Sequence, residues 1–228
     1  MKRILKWLVR LFLLAVVLIV ILLLSLNSIL RVCLEHQIRA RTGLDAEIGR
    51  FALGLTEPTL TIQNFKLFNP PAFGGTPFLD IREIHVEYDP AALKRHQLHL
   101  TLMRFNLGEL DIVRNESGQT NLFSLGLTLP STQPGGQRAA KLPADFKRQT
   151  GFDFTGIDAL NVSVDTAKFI DLKDPNHNCS QKIGIDNLVI KNVKTPTDLL
   201  GLEVLIALRG GNVFGALAGL PGHNGAGN

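Results

Sequence analysis

The sequence predicts a mainly β protein, in which an N-terminal transmembrane helix is followed by a twisted antiparallel β-sheet or half-tube with short flanking helices. Two observations lead to this fold class. Residues Leu11 to Leu30 carry no charge, and a run of about 20 such residues matches the hydrocarbon thickness that a helix must cross. After Leu44, apolar and polar residues alternate, which is typical of strands with one apolar face.

The uncharged run predicts an uncleaved anchor over 11–30. Lys2, Arg3, Lys6 and Arg10 precede it without an acidic residue, so the positive-inside rule keeps segment 1–10 in the cytoplasm and sends the remaining chain across the bilayer. A cleaved signal peptide is the alternative, but its apolar region is usually about 7–15 residues long and ends in a small-residue cleavage site. Residues 31–43 continue with helical spacing to a glycine at 43, which predicts a helical extension that ends there.

The balance of charge argues against nucleic-acid binding. The chain has 24 Lys and Arg against 20 Asp and Glu, and four of the basic residues lie in the first ten positions. The rest of the chain therefore has no basic excess with which to neutralise phosphates. Two cysteines, Cys33 and Cys179, do not make a disulfide framework. We expect unpaired thiols and leave their oxidation open.

Strands with alternating residues occupy the first part of the extramembrane chain. Some of them change phase midway, which predicts β-bulges near Gln63-Asn64 and Arg82-Glu83. Pro and Gly residues predict polar turns at 69–77 and 115–118, and Asp89-Pro90 predicts one helical turn over 90–95. The alternating apolar positions include Leu60 and Ile62, Ile84 and Val86, Leu98, Leu100 and Leu102, and Leu110 and Ile112.

The second part begins after a predicted linker over 128–147, which is rich in Thr, Pro, Gln, Gly and Ser. Alternation then returns, so we expect a second β segment with a C-terminal helix over 148–220. Thr195, Pro196 and Asp198 suit a helix start, and a glycine pair stops the apolar run Leu199–Leu208. A buried strand over Leu202–Leu208 remains an alternative. The Gly-rich tail 221–228 is predicted to be flexible.

The stretch Thr42–Leu122 resembles the AsmA-like proteins of the diderm bacterial envelope, which are related to TamB-type proteins. The elements that carry the resemblance are an anchor helix, a Thr-Gly turn, two strands, a Pro-Pro and Phe-Gly loop, a short Leu-containing helix and an acidic-Gly turn before Asn-Leu. In this chain they are Leu44–Phe51, Leu60–Leu67, Asn69-Pro70-Pro71, Phe73-Gly74, Ala91-Ala92-Leu93 and Glu116–Leu122. The long members carry many more such strands.

The resemblance implies an AsmA-like β module over 44–127, in a short member of the family. It also implies a single-pass protein of the bacterial inner membrane, with a cytoplasmic N-terminus and its bulk in the periplasm. Lipid transport or outer-membrane and envelope homeostasis, through an apolar β-groove, is the function it suggests. The groove residues we expect to face lipid are Leu60, Ile62, Phe65, Leu67, Ile84, Val86, Leu98, Leu100, Leu102 and Ile112.

Two other interpretations stay open at this point. The apolar face can be a sheet packed on the chain's own helices, or the protein can be a scaffold that docks another envelope protein. The sequence holds no G-x-S-x-G, P-loop or H-E-x-x-H motif. We therefore expect no enzyme activity, no catalytic residue, no metal and no cofactor. The expected partners are the membrane, phospholipid, and other envelope proteins or further copies that pair with the terminal strands, Glu47–Leu53 and Ile183–Val193.

Overall fold

The computed structural model describes residues 25–54, 56–122, 147–148, 150–211 and 213. The predicted basic segment 1–10, the first part of the uncharged run, nearly all of the linker and the tail lie outside these residues. Among the helices that the structure describes, none combines the length and the apolar composition needed to cross a bilayer. The main elements are α1 (25–42), β1 (Ala46–Leu53), β2 (Thr59–Phe68), β3 (Pro77–Tyr88), α2 (Pro90–Lys94), β4 (Gln97–Arg114), β5 (Asp153–Asp171), β6 (Cys179–Val193) and α3 (Leu200–Arg209).

The six strands form one open sheet in the order β1-β2-β3-β4-β5-β6, so the prediction of a mainly β fold is confirmed. The sheet is mixed, because β4 and β5 pair in parallel from Gln97–Asp153 to Arg114–Asp171. The prediction of a purely antiparallel sheet was wrong. A parallel pair needs a long crossover connection, and residues 115–152 return the chain to the end of the sheet where β4 starts. The two predicted β segments thus share one sheet.

Helix α1 covers the outer edge of β1. Three polar side chains at spacings of four residues lie on one face of the helix and hydrogen-bond the edge backbone. The bonds run from Leu53 N to Asn27 Oδ1 (3.1 Å), from Arg31 Nη1 to Gly49 O (3.3 Å) and from Ile48 N to Glu35 Oε1 (2.8 Å). Unpaired backbone groups at a sheet edge allow another strand to add there. We expected such a contact at Glu47–Leu53, but α1 of the same chain occupies this edge.

Backbone irregularities break the alternation inside the strands. The register between β3 and β4 shifts on both sides of Ile81, next to the predicted position at Arg82-Glu83. At Gln63-Asn64 the register is continuous on both sides of β2. Asn64 instead takes the left-handed conformation, with φ 53°, which Asn tolerates better than most residues. The phase change there comes from one left-handed residue and not from an inserted one.

The turns lie where the sequence predicts them. A 3₁₀ turn, Pro71–Phe73, lies between β2 and β3, and Gly118 N donates to Asn115 O at 2.9 Å in the turn after β4. The Asp89 carboxylate accepts from Ala91 N at 2.8 Å and caps α2. These local hydrogen bonds fix the turns in which β3 and β4 begin and end. The turns lie at the two opposite ends of the sheet.

One face of the sheet carries most of the apolar core. The core runs from β1 to β6, is covered by α3 beside β5 and β6, and includes Ile48, Ile112 and Phe169, each 1% exposed. The opposite face carries ion pairs between neighbouring strands, among them Lys168 with Glu109 at 2.7 Å. The two faces of the sheet therefore differ in chemistry: one is apolar and the other is charged.

Candidate functional site: an apolar cavity under the C-terminal helix

A cavity of about 350 Å³ lies between the apolar face of the sheet and α3. Every side chain that lines it is apolar, and none carries a charge or a hydrogen-bonding group. Its walls are Met103, Phe105, Leu107 and Leu110 of β4, Ile157, Leu160, Val162, Val164 and Ala167 of β5, Ile183 and Val193 of β6, and Leu199, Leu202 and Ile206 in or next to α3. Such a space offers dispersion contacts and exclusion of water to a ligand.

The wall from β4 depends on a local break in the strand. Leu107 and Leu110 both face the cavity although they are three residues apart, which regular alternation does not allow. The register shifts against β3 at this point, opposite Gly108 and Glu109. The break turns Glu109 and Asp111 to the opposite face and keeps the cavity wall free of carboxylates.

Helix α3 forms the cover. It spans Leu200–Arg209, so the helical prediction for the run Leu199–Leu208 is confirmed and the strand alternative is wrong. Leu202, Leu205 and Ile206 pack against the core. The Asp198 carboxylate accepts from the backbone N–H groups of Lys194 and Thr195, both at 2.8 Å. These bonds lower the pKa of Asp198 and fix the start of the helical segment.

The far end of α3 is held by one side chain. Arg209 Nη1 donates to Gly184 O at 2.6 Å and to Ile183 O at 3.2 Å, both on the outer edge of β6. Gly184 is left-handed, with φ 60°, so its carbonyl turns away from the regular ladder. Arg209 therefore secures the cover and also occupies part of the second sheet edge.

The predicted groove residues and the cavity walls are different sets. None of the ten predicted residues lines the cavity. Leu67, Leu100 and Ile112 are buried in the same core, and four more pack against it: Phe65, Ile84, Val86 and Leu98. Leu60, Ile62 and Leu102 lie outside that cluster. The structure thus brings seven of the ten together on one face, beside the cavity.

The sequence analysis missed the cavity because its walls come from the part of β4 where the phase changes and from the second β segment. Alternation in the second β segment predicts strands there, but the parallel pairing that places β5 beside β4 has no local signal in the sequence. The clearest available signal was the run Leu199–Leu208, whose one charged residue is Glu203. A helix with that composition needs an apolar surface to pack against.

The opposite face holds a shallow polar cleft of about 330 Å³. Arg82 reaches across β4 to Asp165 on β5, where Nη2 and Oδ2 lie 2.7 Å apart. It can do so because Gly108 has no Cβ: a Cβ there would lie 2.9 Å from Arg82 Nε. The ion pair lowers the pKa of Asp165. Asn106, Ser163, Lys182 and Asp186 complete the cleft.

Two histidines take part in rows of hydrogen bonds between strands. His85 Nδ1 lies 2.8 Å from Thr61 Oγ1 on β2, and its Nε2 lies 3.3 Å from Glu87 Oε1 on its own strand. His99 on β4 contacts two residues of β5, Thr155 at 3.3 Å and Asp158 at 3.2 Å. His96 lies in the turn before β4, with φ 56° and its ring against Phe152. These rows link neighbouring strands and pair their polar groups.

A buried polar cluster lies at the end of the sheet where β2 and β4 stop. Asn121 is 2% exposed and Asp111 is 7% exposed. Burial and the negative charge of Glu109 together raise the pKa of Asp111 to about 6, against the opposing effect of Lys168. The neutral form of Asp111 is therefore favoured well into the range where an exposed aspartate is ionised.

The residues that the structure describes include few side chains arranged as a catalytic or metal site requires. No three His, Cys, Asp or Glu side chains among them converge as a metal site needs. Neither cysteine forms a disulfide, and burial raises the pKa of Cys179, which disfavours the nucleophilic thiolate. The arrangement is suited to holding apolar material. No protein-family model matches the chain, and no curated protein or solved structure matches it significantly.

Proposed function

We propose that this chain is a membrane-anchored, non-enzymatic envelope protein of the AsmA-like kind, whose half-tube-like sheet holds lipid acyl chains in the cavity under α3. The observation that carries the proposal is a cavity of about 350 Å³ with fourteen apolar residues and no polar one in its walls. It falls within the roughly 300–1,000 Å³ of small-molecule sites. Unfilled apolar space costs stability, so an acyl chain that fills it binds favourably.

The location proposed is the bacterial inner membrane, with the uncharged run as the anchor and the sheet on the periplasmic side. The long apolar run and the basic residues before it support the anchor and its orientation. Phospholipid is the proposed ligand, because its acyl chains offer the apolar surface that the cavity walls accept.

Photo-crosslinking tests this proposal. The full-length protein is purified from cells fed a photoactivatable, alkyne-tagged fatty acid, irradiated, and digested for mass spectrometry. We expect lipid adducts on peptides of residues 103–110 and 157–167. Adducts confined to the N-terminal apolar run would mean that only the anchor contacts lipid, and the cavity proposal would fail.

A matched pair of variants sharpens the result. Ala167 lines the cavity, and Ala159 lies on the same strand outside it. Ala167→Leu fills the space and should reduce the cavity adducts, whereas Ala159→Leu makes the same change elsewhere and should leave them at the wild-type level. Equal adduct yields in the two variants would contradict a role of the cavity.

A scaffold that docks another envelope protein is the second candidate, and the outer face of α3 favours it. Leu200, Val204 and Leu208 are 52%, 57% and 76% exposed and lie four residues apart, so they form one apolar stripe on the helix. A photoreactive amino acid at Val204 should crosslink to a protein of defined mass under this alternative, and to lipid or nothing otherwise.

A further inference from the structure

The anchor helix gives the sheet a direction relative to the bilayer. As residue numbers rise along α1 they fall along β1, from Asn27 beside Leu53 to Arg39 beside Asp45, so the two run antiparallel. The uncharged run, residues 11–30, leads into α1 from its N-terminal side. If that run is the anchor, the bilayer lies next to the end of the sheet where β1 stops. We call this the proximal end and the opposite one the distal end.

Every strand reaches the proximal end. The pairing Leu53–Leu60, Leu60–Val86, Tyr88–Leu100, Gln97–Asp153 and Ile157–Val193 places these strand ends side by side. Four stretches of chain therefore gather there. They are residues 54 and 56–58, residues 89–96, residues 147–148 and 150–152, and residues 194–199.

The described proximal connections carry an excess of positive charge. Their basic residues are Lys94, Arg95, Lys147, Arg148 and Lys194, and their acidic residues are Glu57, Asp89 and Asp198. Lys147 forms an ion pair at 2.8 Å with Asp153, the first residue of β5, so the excess that remains at this end comes from the other basic residues. Two of the three carboxylates already accept backbone hydrogen bonds as helix caps. The described distal connections carry Lys173 against Asp45, Glu116 and Asp174, and the adjoining end of α1 adds Arg39 and Arg41, which brings that end to balance. The positive excess lies at the end that meets the bilayer.

The α2 turn has the composition of a membrane contact. Leu93, Lys94 and Arg95 follow one another and are all exposed, with Leu93 at 36%. An apolar side chain next to basic ones can enter the boundary of the headgroups while the cations lie among the phosphates. Ala92 is buried against the sheet, so the turn is held in place and presents these three residues outward.

We propose that the proximal end docks, through Leu93, Lys94 and Arg95, on the surface of a bilayer that contains anionic phospholipid. The proposal rests on the anchor of the proposed function and names the partner of that end. It also accounts for the position of the cavity, whose wall includes Ile157 and Val193 at the proximal end of β5 and β6. Docking would bring that part of the cavity next to the lipid that it takes up.

The test uses the full-length protein with Cys33→Ser and Cys179→Ser, reconstituted in phosphatidylcholine vesicles with or without phosphatidylglycerol. One sample carries Ala91→Cys in α2 and another carries Ser117→Cys in the distal turn; both positions are exposed. Each cysteine is labelled with a polarity-sensitive fluorophore and titrated with acrylamide. We expect the Ala91 label to be shielded in the anionic vesicles and the Ser117 label to stay open to the quencher.

Charge-removal variants identify the cause of any shielding. Lys94→Gln with Arg95→Gln should lower the ratio of shielded to open label by about fivefold for each charge removed. Arg41→Gln with Lys173→Gln removes the same charge at the distal end and should have no effect. Raising the salt concentration should act like the first pair, because exposed charges are screened.

Two outcomes overturn the proposal. If the Ala91 and Ser117 labels are quenched equally in anionic vesicles, the proximal end does not meet the bilayer. If the Ala91 label is shielded equally in both kinds of vesicle and in the charge-removal variant, neither anionic lipid nor the two basic side chains cause the contact, and the proposal is wrong. Lipid adducts on residues 103–110 are measured on the same samples. If docking fails but the adducts remain, only the docking proposal is wrong. If the adducts are also absent, the proposed function is wrong.

Discussion

The Asn121 side-chain amide donates to Asn69 Oδ1 at 2.8 Å, although the two residues are 52 positions apart. The same amide nitrogen donates to Asp111 O at 2.8 Å, and Asn121 Oδ1 accepts from Val113 N at 3.0 Å. One buried side chain thus joins the loop after β2, the end of β4 and the turn that follows it. The residues are parts of two of the motifs behind the AsmA-like resemblance, the Asn-Pro-Pro loop and the Asn-Leu pair.

Removing this side chain should destabilise the sheet. Asn121→Ala leaves buried partners without hydrogen bonds, and we expect a loss of about 3 kcal/mol in the free energy of unfolding. Asn121→Asp should cost at least as much, since a carboxylate cannot donate to the two oxygens. Chemical denaturation measures both. Asn176→Ala, at an exposed asparagine, is the control and should change stability by less than about 0.5 kcal/mol.

Asp111 should make stability fall as pH rises. Because its pKa in the folded protein is about 6, against 3.8 for an ordinary aspartate, the folded state binds more protons between these values. The favourable contribution is complete below about pH 4 and is lost by about pH 6, with an order of magnitude of 3 kcal/mol. Asp111→Asn should flatten this slope in thermal unfolding, while Asp186→Asn, at an exposed position, should preserve it. If stability still falls with pH in the Asp111→Asn variant, another titrating group causes the pH dependence.

Gly108 should control the pairing of Arg82 with Asp165. Gly108→Ala places a methyl group against the Arg82 side chain, which must leave its path across β4. The exposed ion pair contributes at most about 1 kcal/mol, so we expect a small stability change and the loss of coupling between Arg82 and Asp165 in a double-mutant cycle. Gly201→Ala in α3 meets open space and should stabilise by about 0.5–1 kcal/mol. Unchanged coupling in the Gly108 variant would show that Arg82 has another route.

Arg209 should hold the end of the cover without supporting the whole fold. Arg209→Ala removes its hydrogen bonds to Ile183 O and Gly184 O, so α3 should open more often while the sheet keeps its stability. Hydrogen exchange read by mass spectrometry should be faster in residues 200–209 and unchanged in β4 and β5. Glu203→Ala, on the same helix, serves as the reference. Faster exchange throughout β5 would mean that α3 and the sheet unfold as one unit.

The sequence predicted those features that depend on neighbouring residues. Alternation revealed strands, Asp89 and Asp198 marked helix starts, and Asn115 to Gly118 marked a turn, because each signal lies within a few positions. The parallel pairing of β4 with β5 depends on where a long connection returns, and no local pattern records that. The cavity was missed for the same reason, since its walls meet only through that pairing and through the phase break at Gly108.

The polar stripe of α1 has a consequence for how the extramembrane part can be isolated. Its three bonds to β1 span only 13 to 26 residues of chain, so the helix that emerges first shields the strand that follows it during synthesis. A fragment that starts at residue 44 lacks α1, so the backbone N–H and C=O groups on the outer edge of β1 are left open to other copies. Such a fragment should form dimers through β1. A fragment that starts at residue 25 keeps α1 over this edge and should stay monomeric.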